Sequence, residues 1–295
     1  INVILITQAS SEHTICVGVL EEDAEKAVKS ISKKFDNEID LHKIDPIIVE
    51  NDLSIIALVG ENMKNHQGLS GKMFSSLGKN NVNIRAIAQG ASEKNISAVI
   101  KKSDAKKALN TLHEQFFGDN VKQLNLFVTG VGNVGNRFLA QLEQQKEYLL
   151  TNLKLNIRVI GLSNSRNMYF DENGIDLKNW KELLLSQGEK SSLESFFSRS
   201  KELNMRNSVF VDNTANEEVS KMYKHYLENN IAVVTCNKIA CASELNNYKT
   251  LKKVSSKYNA PFLFETNVGA GLPIIDTLKN LIASGDRVQK IQAVL

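Results

Sequence analysis

The hexapeptide Gly130-Val131-Gly132-Asn133-Val134-Gly135 constrains the fold of this chain more than any other stretch, because of what stands on either side of it. Ahead of it runs Leu124-Asn125-Leu126-Phe127-Val128-Thr129, an apolar segment that reads as a buried strand. Behind it, Val134, Phe138, Leu139 and Leu142 share one face of an expected helix. In a strand that turns through Gly-x-Gly-x-x-Gly into a helix, each glycine has a separate task. The first permits the tight turn, the second lets a pyrophosphate approach the backbone, and the third lets helix and strand close together. The pyrophosphate then rests on unpaired N–H groups at the helix N-terminus. All six residues are therefore expected at a dinucleotide site. A loop that merely needs glycines would carry the same letters; the flanking strand and helix are what favour the site. The motif begins only at residue 130, so something else is attached in front.

Composition excludes several classes. A chain of 295 residues has room for two domains, each able to bury a core. Hydrophobic content of 42% and charged content of 23% are ordinary for a globular protein. The net charge is only +3 and no basic tract interleaves with aromatics, so nucleic acid is not an expected partner. No apolar run approaches a membrane span, and the first residues do not resemble a signal peptide. Cys16, Cys236 and Cys241 form no C-x-x-C pair, and their odd number argues against a disulfide framework. The histidines at 13, 42, 66, 113 and 225 are scattered, so no transition-metal site is expected. The expected compartment is the cytoplasm, or a plastid if the source is a plant. The first residues (Ile1-Asn2-Val3-Ile4-Leu5-Ile6) and the last (residues 288–295) both lie in strand-like patterns, which suggests a fragment of something longer.

The front third repeats itself. Ile6-Thr7-Gln8-Ala9-Ser10-Ser11-Glu12-His13-Thr14-Ile15 recurs as Ile87-Ala88-Gln89-Gly90-Ala91-Ser92-Glu93-Lys94-Asn95-Ile96, each time between two strand-like runs. Around the second copy the pattern predicts a strand at 53–59, a helix at 68–77, strands at 82–88 and 96–101, and a helix from 103 to 116. Around the first it predicts strands at 3–7 and 14–19, a helix at 21–35 and a strand near 46–49. Two β-α-β-β-α-β units side by side, the first incomplete, satisfy this order. The Gln-x-x-Ser-Glu segment is compatible with a simple hairpin. It is also compatible with a ligand site, since the amides of Gln8 and Gln89 can both donate to and accept from a small zwitterion.

Taken together, these stretches resemble a known family. Leu5-Ile6-Thr7-Gln8-Ala9-Ser10-Ser11-Glu12, Ile87-Ala88-Gln89-Gly90, Thr129-Gly130-Val131-Gly132-Asn133-Val134-Gly135, Thr235-Cys236-Asn237-Lys238 and Thr266-Asn267-Val268-Gly269-Ala270-Gly271-Leu272-Pro273 are similar, in this order, to the middle of the threonine-sensitive bifunctional aspartokinase/homoserine dehydrogenases. The resemblance covers essentially the whole chain. It implies a tandem ACT (ferredoxin-like) regulatory region at 1–118. A Rossmann-type doubly wound parallel sheet binding NAD(P) follows at 119–265, and the start of a substrate and dimerisation domain at 266–295. The implied reaction interconverts L-aspartate 4-semialdehyde and L-homoserine with NADP or NAD, in a protein that also has aspartate kinase activity. Threonine is the implied effector, with Gln8 and Gln89 at the contacting positions, and a homo-oligomer the implied assembly. The kinase domain and most of the substrate domain are not in the chain, so this stretch is expected not to turn over. Two rivals stand beside that reading: a regulatory and cofactor-binding module without catalysis, and a sensor joining an amino-acid reader to a redox reader.

A strand at 157–162 leads to Ser163-Asn164-Ser165-Arg166, where an NAD site normally places an acid on the ribose 2′-OH. Here there is no acid. Ser163 and Arg166 can bond a 2′-phosphate, which favours NADP, although Arg166 is equally compatible with a solvated loop cation. Thr214 follows the strand ending at Asp212, and Lys238 follows the strand 231–235, so both reach the carboxyl-end crevice. The resemblance puts Thr214 at a cofactor contact and Lys238 beside nicotinamide and substrate, where an ammonium can stabilise or protonate a developing alkoxide. Read without the family, Thr214 would be the N-cap of a helix at 215–226 and Lys238 a surface lysine. Cys236 stands where the family usually has Pro, which frees a φ angle next to Lys238. It is compatible with a reactive thiol or with an inert buried one. Finally, Glu265 and the glycine-rich turn behind it suit either a hinge into a helix starting near Pro273 or a hard monovalent cation. The resemblance implies sodium held by Glu265 and by the carbonyls of Val268, Ala270 and Leu272.

Overall fold

The computed structural model describes residues 1–8, 14–61, 63, 66–89, 94–117 and 121–292. The repeated residues 9–13 and 90–93, and the expected domain boundary at 118, lie outside them. The chain divides into two compact units, Ile1–Phe117 and Gly118–Leu295.

In the first unit, β1 (Val3–Gln8) and β2 (Ile15–Val19) form an antiparallel pair in which Gln8 faces Ile15 and Thr7 faces Cys16. Helices α1 (Ala24–Lys34) and α2 (Asp36–Asp40) follow, and neither buries a residue. The strand expected near 46–49 does not form. Pro46 has no N–H for a ladder, no strand among the described residues lies alongside, and Ile48 is 88% exposed.

The second copy is the better built. Strands β3 (Leu53–Val59), β4 (Ile84–Gln89) and β5 (Asn95–Lys101) make an antiparallel sheet in the order β3-β5-β4. Helices α3 (Leu69–Lys79) and α4 (Ala105–Phe117) cover it. Period-2 alternation turns Ile96, Ala98 and Ile100 of β5 onto Met73, Leu77, Ala108 and Leu112 of the helices. The order is β-α-β-β-α; the sixth element of the expected unit is not in this sheet. Between the two copies, Thr7 Oγ1 of β1 donates to the Ile87 carbonyl of β4 at 2.9 Å.

The second unit is a seven-stranded sheet. Its strands are β6 (Lys122–Thr129), β7 (Leu155–Ser163), β8 (Asn167–Phe170), β9 (Glu189–Lys190), β10 (Ser208–Asp212), β11 (Ala232–Thr235) and β12 (Phe262–Leu263), in the order β12-β11-β10-β6-β7-β8-β9. The first five in that order are parallel; β8 and β9 are antiparallel additions. Its helices are α5 (Asn133–Thr151), α6 (Trp180–Ser186), α7 (Leu193–Glu202), α8 (Glu217–Lys221), α9 (Tyr223–Glu228), α10 (Ile239–Ala242), α11 (Leu245–Lys257) and α12 (Ile274–Ala283).

Alternation along β6 and β10 explains why helices cover both faces. Phe127 and Phe210 join one core with Phe196, Tyr223 and Tyr226, while Leu126, Val128 and Val211 join the other with Leu139. The fold is therefore α/β and doubly wound. Val134 departs from expectation: it lies in the first turn of α5, ahead of the part the sheet covers, and is 56% exposed. The strand-like pattern after 288 forms no strand through residue 292, having no partner strand. Among the described residues no helix is long and apolar enough to cross a membrane.

Candidate functional site

Chain order reverses between β6 and β10, whose neighbours lead away in opposite directions. The crevice outside their carboxyl ends is where an open parallel sheet binds ligands. Gly130 stands there with φ of +88°, and a Cβ on it would meet Thr214 Cγ2 at 2.7 Å and the Asn213 carbonyl carbon at 2.9 Å. Its N–H donates to the Ser163 carbonyl at 2.9 Å, so the loops after β6, β7 and β10 converge on one residue. Gly135 is buried where α5 comes down on Gly130, and any side chain on it would run into the Gly130 carbonyl. Around Gly132 a Cβ would meet nothing within 4 Å. Tight turn, open approach and close packing thus fall to the first, second and third glycine. Gly132 caps α5 without a side chain, and Gly132, Asn133 and Val134 are exposed, which leaves the first helical N–H groups facing the open side. Val131 is half-buried against the α5 side of the core.

The run after β7 is the tip of the β7–β8 hairpin. Asn164 Oδ1 accepts from the N–H groups of Arg166 and Asn167, both at 2.7 Å, which fixes the turn and leaves Arg166 exposed. Ser163 is placed differently: it is 2% exposed, and its Oγ lies 2.9 Å from Thr129 Oγ1. The exposed hydroxyl of this turn belongs to Ser165.

Thr214 is not the N-cap of the following helix. Asn216 takes that position, accepting from the N–H groups of Glu218 at 2.8 Å and Val219 at 3.3 Å, while Thr214 Oγ1 accepts from Asn216 N at 3.2 Å. Asn216 directly precedes α8 and its amide oxygen reaches both of those N–H groups, while the Thr214 hydroxyl is used one turn earlier, on Asn216 N. That keeps Thr214 at the mouth of the crevice beside Gly130.

Beneath Thr214 lies a buried polar network that no motif in the sequence announces. Asp212 is 0% exposed at the end of β10. Its Oδ1 accepts from Thr214 N at 2.7 Å; its Oδ2 accepts from Tyr223 OH at 2.5 Å and Asn237 Nδ2 at 3.0 Å. Tyr223 OH also lies 2.7 Å from Thr235 Oγ1. Burial, then the Asp212 charge, push the Tyr223 phenol well above its ordinary range. An acid closing an apolar strand, Val209-Phe210-Val211-Asp212, was the one sequence signal for this cluster.

Lys238 opens α10 with its side chain exposed. Cys236 is half-buried, and burial together with the Asp212 charge raises its thiol despite nearby Lys238. Of its two expected characters, the unreactive one fits. Glu265 begins a short 3-10 turn and reaches back to α12, where its carboxylate accepts from Ile275 N at 2.8 Å and Asp276 N at 3.0 Å. Helix α12 starts just after Pro273, one residue later than an N1 proline would place it. The turn bends through Gly269 at φ +71° and Ala270 at φ +50°, and the Leu272 carbonyl accepts from Ile274 N at 2.9 Å. Among the described residues no three His, Cys, Asp or Glu side chains cluster as metal ligands do.

In the first unit, Gln8 and Gln89 end β1 and β4, the two strands that the Thr7–Ile87 bond joins. Gln89 Oε1 lies 3.5 Å from Ser70 Oγ.

Residues 1–35 and 56–116 match the ACT domain model, and residues 130–265 match the model of the homoserine dehydrogenase NAD binding domain. A bifunctional aspartokinase/homoserine dehydrogenase from Haemophilus influenzae is 41% identical over 295 residues, all of this chain and 36% of that protein. The chloroplastic bifunctional aspartokinase/homoserine dehydrogenase 1 of Arabidopsis thaliana is 37% identical over 294 residues, 99% of this chain and 32% of that protein. A homoserine dehydrogenase from Schizosaccharomyces pombe is 35% identical over 176 residues, 58% of this chain and 46% of that protein. The chain spans about a third of the length of the bifunctional relatives it matches. Along that span it belongs to the bifunctional aspartokinase/homoserine dehydrogenase family, carrying ACT-domain sequence followed by the NAD-binding domain of homoserine dehydrogenase.

Proposed function

We propose that this chain forms the threonine-responsive regulatory region and the NADP site of an enzyme that interconverts L-aspartate 4-semialdehyde and L-homoserine and also phosphorylates aspartate. The observation that carries the cofactor half is the glycine cradle: closed at Gly130 and Gly135, open at Gly132, and set at the point where strand order reverses. The residues fit a dinucleotide. Backbone N–H groups from Gly132 to Gly135 take the pyrophosphate, and Thr214 lines the path toward the nicotinamide end. The exposed Arg166, with no acid in its turn, takes the 2′-phosphate and favours NADP over NAD. When bound, the cofactor supplies or accepts the hydride. Lys238 meets the charge that gathers on the aldehyde oxygen and can hand it a proton.

The regulatory half rests on the paired glutamines at the ends of adjoining strands, which suit the ammonium and carboxylate of free threonine. Exposed Ile4, Ile6, Ile15 and Val17 on β1 and β2 support assembly into homo-oligomers. We assign sodium to the turn of Glu265, Val268, Ala270 and Leu272, where the cation would share the Glu265 and Leu272 oxygens with the N–H groups they already accept. Lys238 is the sole side chain assigned to chemistry, and none is assigned to the amino-acid end of the substrate, so binding without turnover is expected.

Calorimetric titration with NADP⁺ and then NAD⁺ tests the reading. Binding with NADP⁺ preferred, and the preference reversed by Arg166→Asp, is expected. Equal affinity for both, unchanged in that variant, would remove Arg166 from the site.

A further inference from the structure

Lys238 has an exposed side chain on a backbone that is fastened on both sides. Asn237 N donates to Thr235 Oγ1 at 2.8 Å, and Ile239 N donates to Asn237 Oδ1 at 3.1 Å. The Asn237 amide also points inward, donating from Nδ2 to Asp212 Oδ2 at 3.0 Å and to the Asn216 carbonyl at 2.9 Å. Asn267 Nδ2 donates to the Asn237 carbonyl at 3.2 Å, tying in the turn after β12. Asn237 is 2% exposed and Asp212 is 0% exposed.

One buried carboxylate therefore holds the backbone at Thr214 with one oxygen and the strap around Lys238 with the other. A carboxylate away from water is expensive unless every lone pair is used, and here the donors described are all uncharged. The ends of β10 and β11 are already joined by a backbone bond, Cys236 N donating to the Asp212 carbonyl at 3.1 Å. What the acid adds is a common reference point for two loops. A lysine has a flexible four-carbon stem, so the placement of its ammonium depends on the placement of its Cα. The Asn237 amide donates to Asp212 and accepts from Ile239 N at once, a pair of duties that an ionised carboxylate or an alkyl side chain at 237 could not both perform.

We propose that Asp212 and Asn237 are positioning residues that hold Lys238 at the nicotinamide end of the crevice, in register with Thr214. The proposal rests on the NADP reading of the crevice. Neither residue touches the ligand; both act through the loop.

The test compares NADP⁺ with adenosine 2′,5′-bisphosphate, which occupies the Gly132 and Arg166 side and lacks the nicotinamide. In Asn237→Ala, amide hydrogen exchange at Ile239 should accelerate and the Kd for NADP⁺ should rise about tenfold, while the bisphosphate binds as before. Asn237→Asp should bind NADP⁺ nearly as wild type near pH 5, because two buried carboxyls placed where Asn237 and Asp212 now meet at 3.0 Å cannot both ionise and would share one proton. It should weaken toward pH 8, each value compared with wild type at the same pH. Equal weakening of both ligands in Asn237→Ala, unchanged NADP⁺ affinity, or a pH-independent defect in Asn237→Asp would overturn the proposal. A wild-type chain that binds neither ligand would instead bring down the NADP reading, and the proposal with it.

Discussion

Gly135 leaves no room for a side chain, because a Cβ on it would collide with the carbonyl oxygen of Gly130. Gly132, three residues earlier, faces open space. The two glycines should respond differently to the same substitution. Gly135→Ala forces α5 away from β6, so we expect a loss of about 1–3 kcal/mol in stability. Gly132→Ala should change stability by less than about 0.5 kcal/mol, yet weaken NADP⁺ at least about tenfold by filling the pyrophosphate approach. Thermal melts and titrations of both variants separate the two effects.

Alkaline pH should unfold the second unit earlier than its exposed tyrosines would suggest. Burial and the Asp212 charge raise the Tyr223 and Tyr226 phenols. The folded state therefore keeps protons that the unfolded chain releases near pH 10. The stabilisation is full below about pH 10 and falls beyond it by about 1.4 kcal/mol per pH unit for each tyrosine. Tyr226→Phe should remove one such contribution from the slope, which denaturant melts between pH 9 and 11 would measure. An unchanged slope would mean that the ring stays protonated in both states.

Cysteine labelling should follow burial. Cys16 is exposed, whereas the Cys236 and Cys241 thiols are raised by burial, which disfavours the thiolate that reacts. Iodoacetamide at pH 7.5 is expected to modify Cys16 first, and peptide mass spectrometry would show the order. Fast labelling of Cys236 would mean that Lys238 outweighs burial.

Glu265 holds the start of α12. Glu265→Ala leaves the Ile275 and Asp276 N–H groups without their acceptor and should cost about 0.5–2 kcal/mol locally. Hydrogen exchange at those two amides should accelerate while the Val128 and Phe210 amides stay protected. If sodium binds the same carboxylate, its protective effect on this turn disappears in the variant.

Threonine binding should need both glutamines. Gln8→Ala and Gln89→Ala are each expected to weaken threonine at least about tenfold and to leave NADP⁺ affinity alone. Titration of this chain with threonine checks it; a loss in only one variant would make the two copies inequivalent.

What could be read from sequence follows from what is local. The glycine turn was legible because strand, turn and helix are contiguous and each glycine has a distinct steric duty. Arg166 and the missing acid were legible as letters, but the burial of Ser163 was not, because its Thr129 partner lies on another strand. The same holds for Asp212, whose partners Tyr223 and Asn237 come from two other segments. Runs such as 46–49 and 288–292 show the converse: an apolar pattern names a strand only when another strand lies beside it.

The antiparallel return of β8 gives the second unit a particular freedom. Ser165 and Arg166 sit on a hairpin tip whose shape is set by the Asn164 side chain and by the strands on either side. Exchanging the two exposed side chains disturbs no buried contact. If Arg166 reads the 2′-phosphate as proposed, discrimination between the two nicotinamide cofactors is uncoupled from folding, and a lineage could switch its reductant pool by a change at the periphery while the buried network around Asp212 stayed as it was.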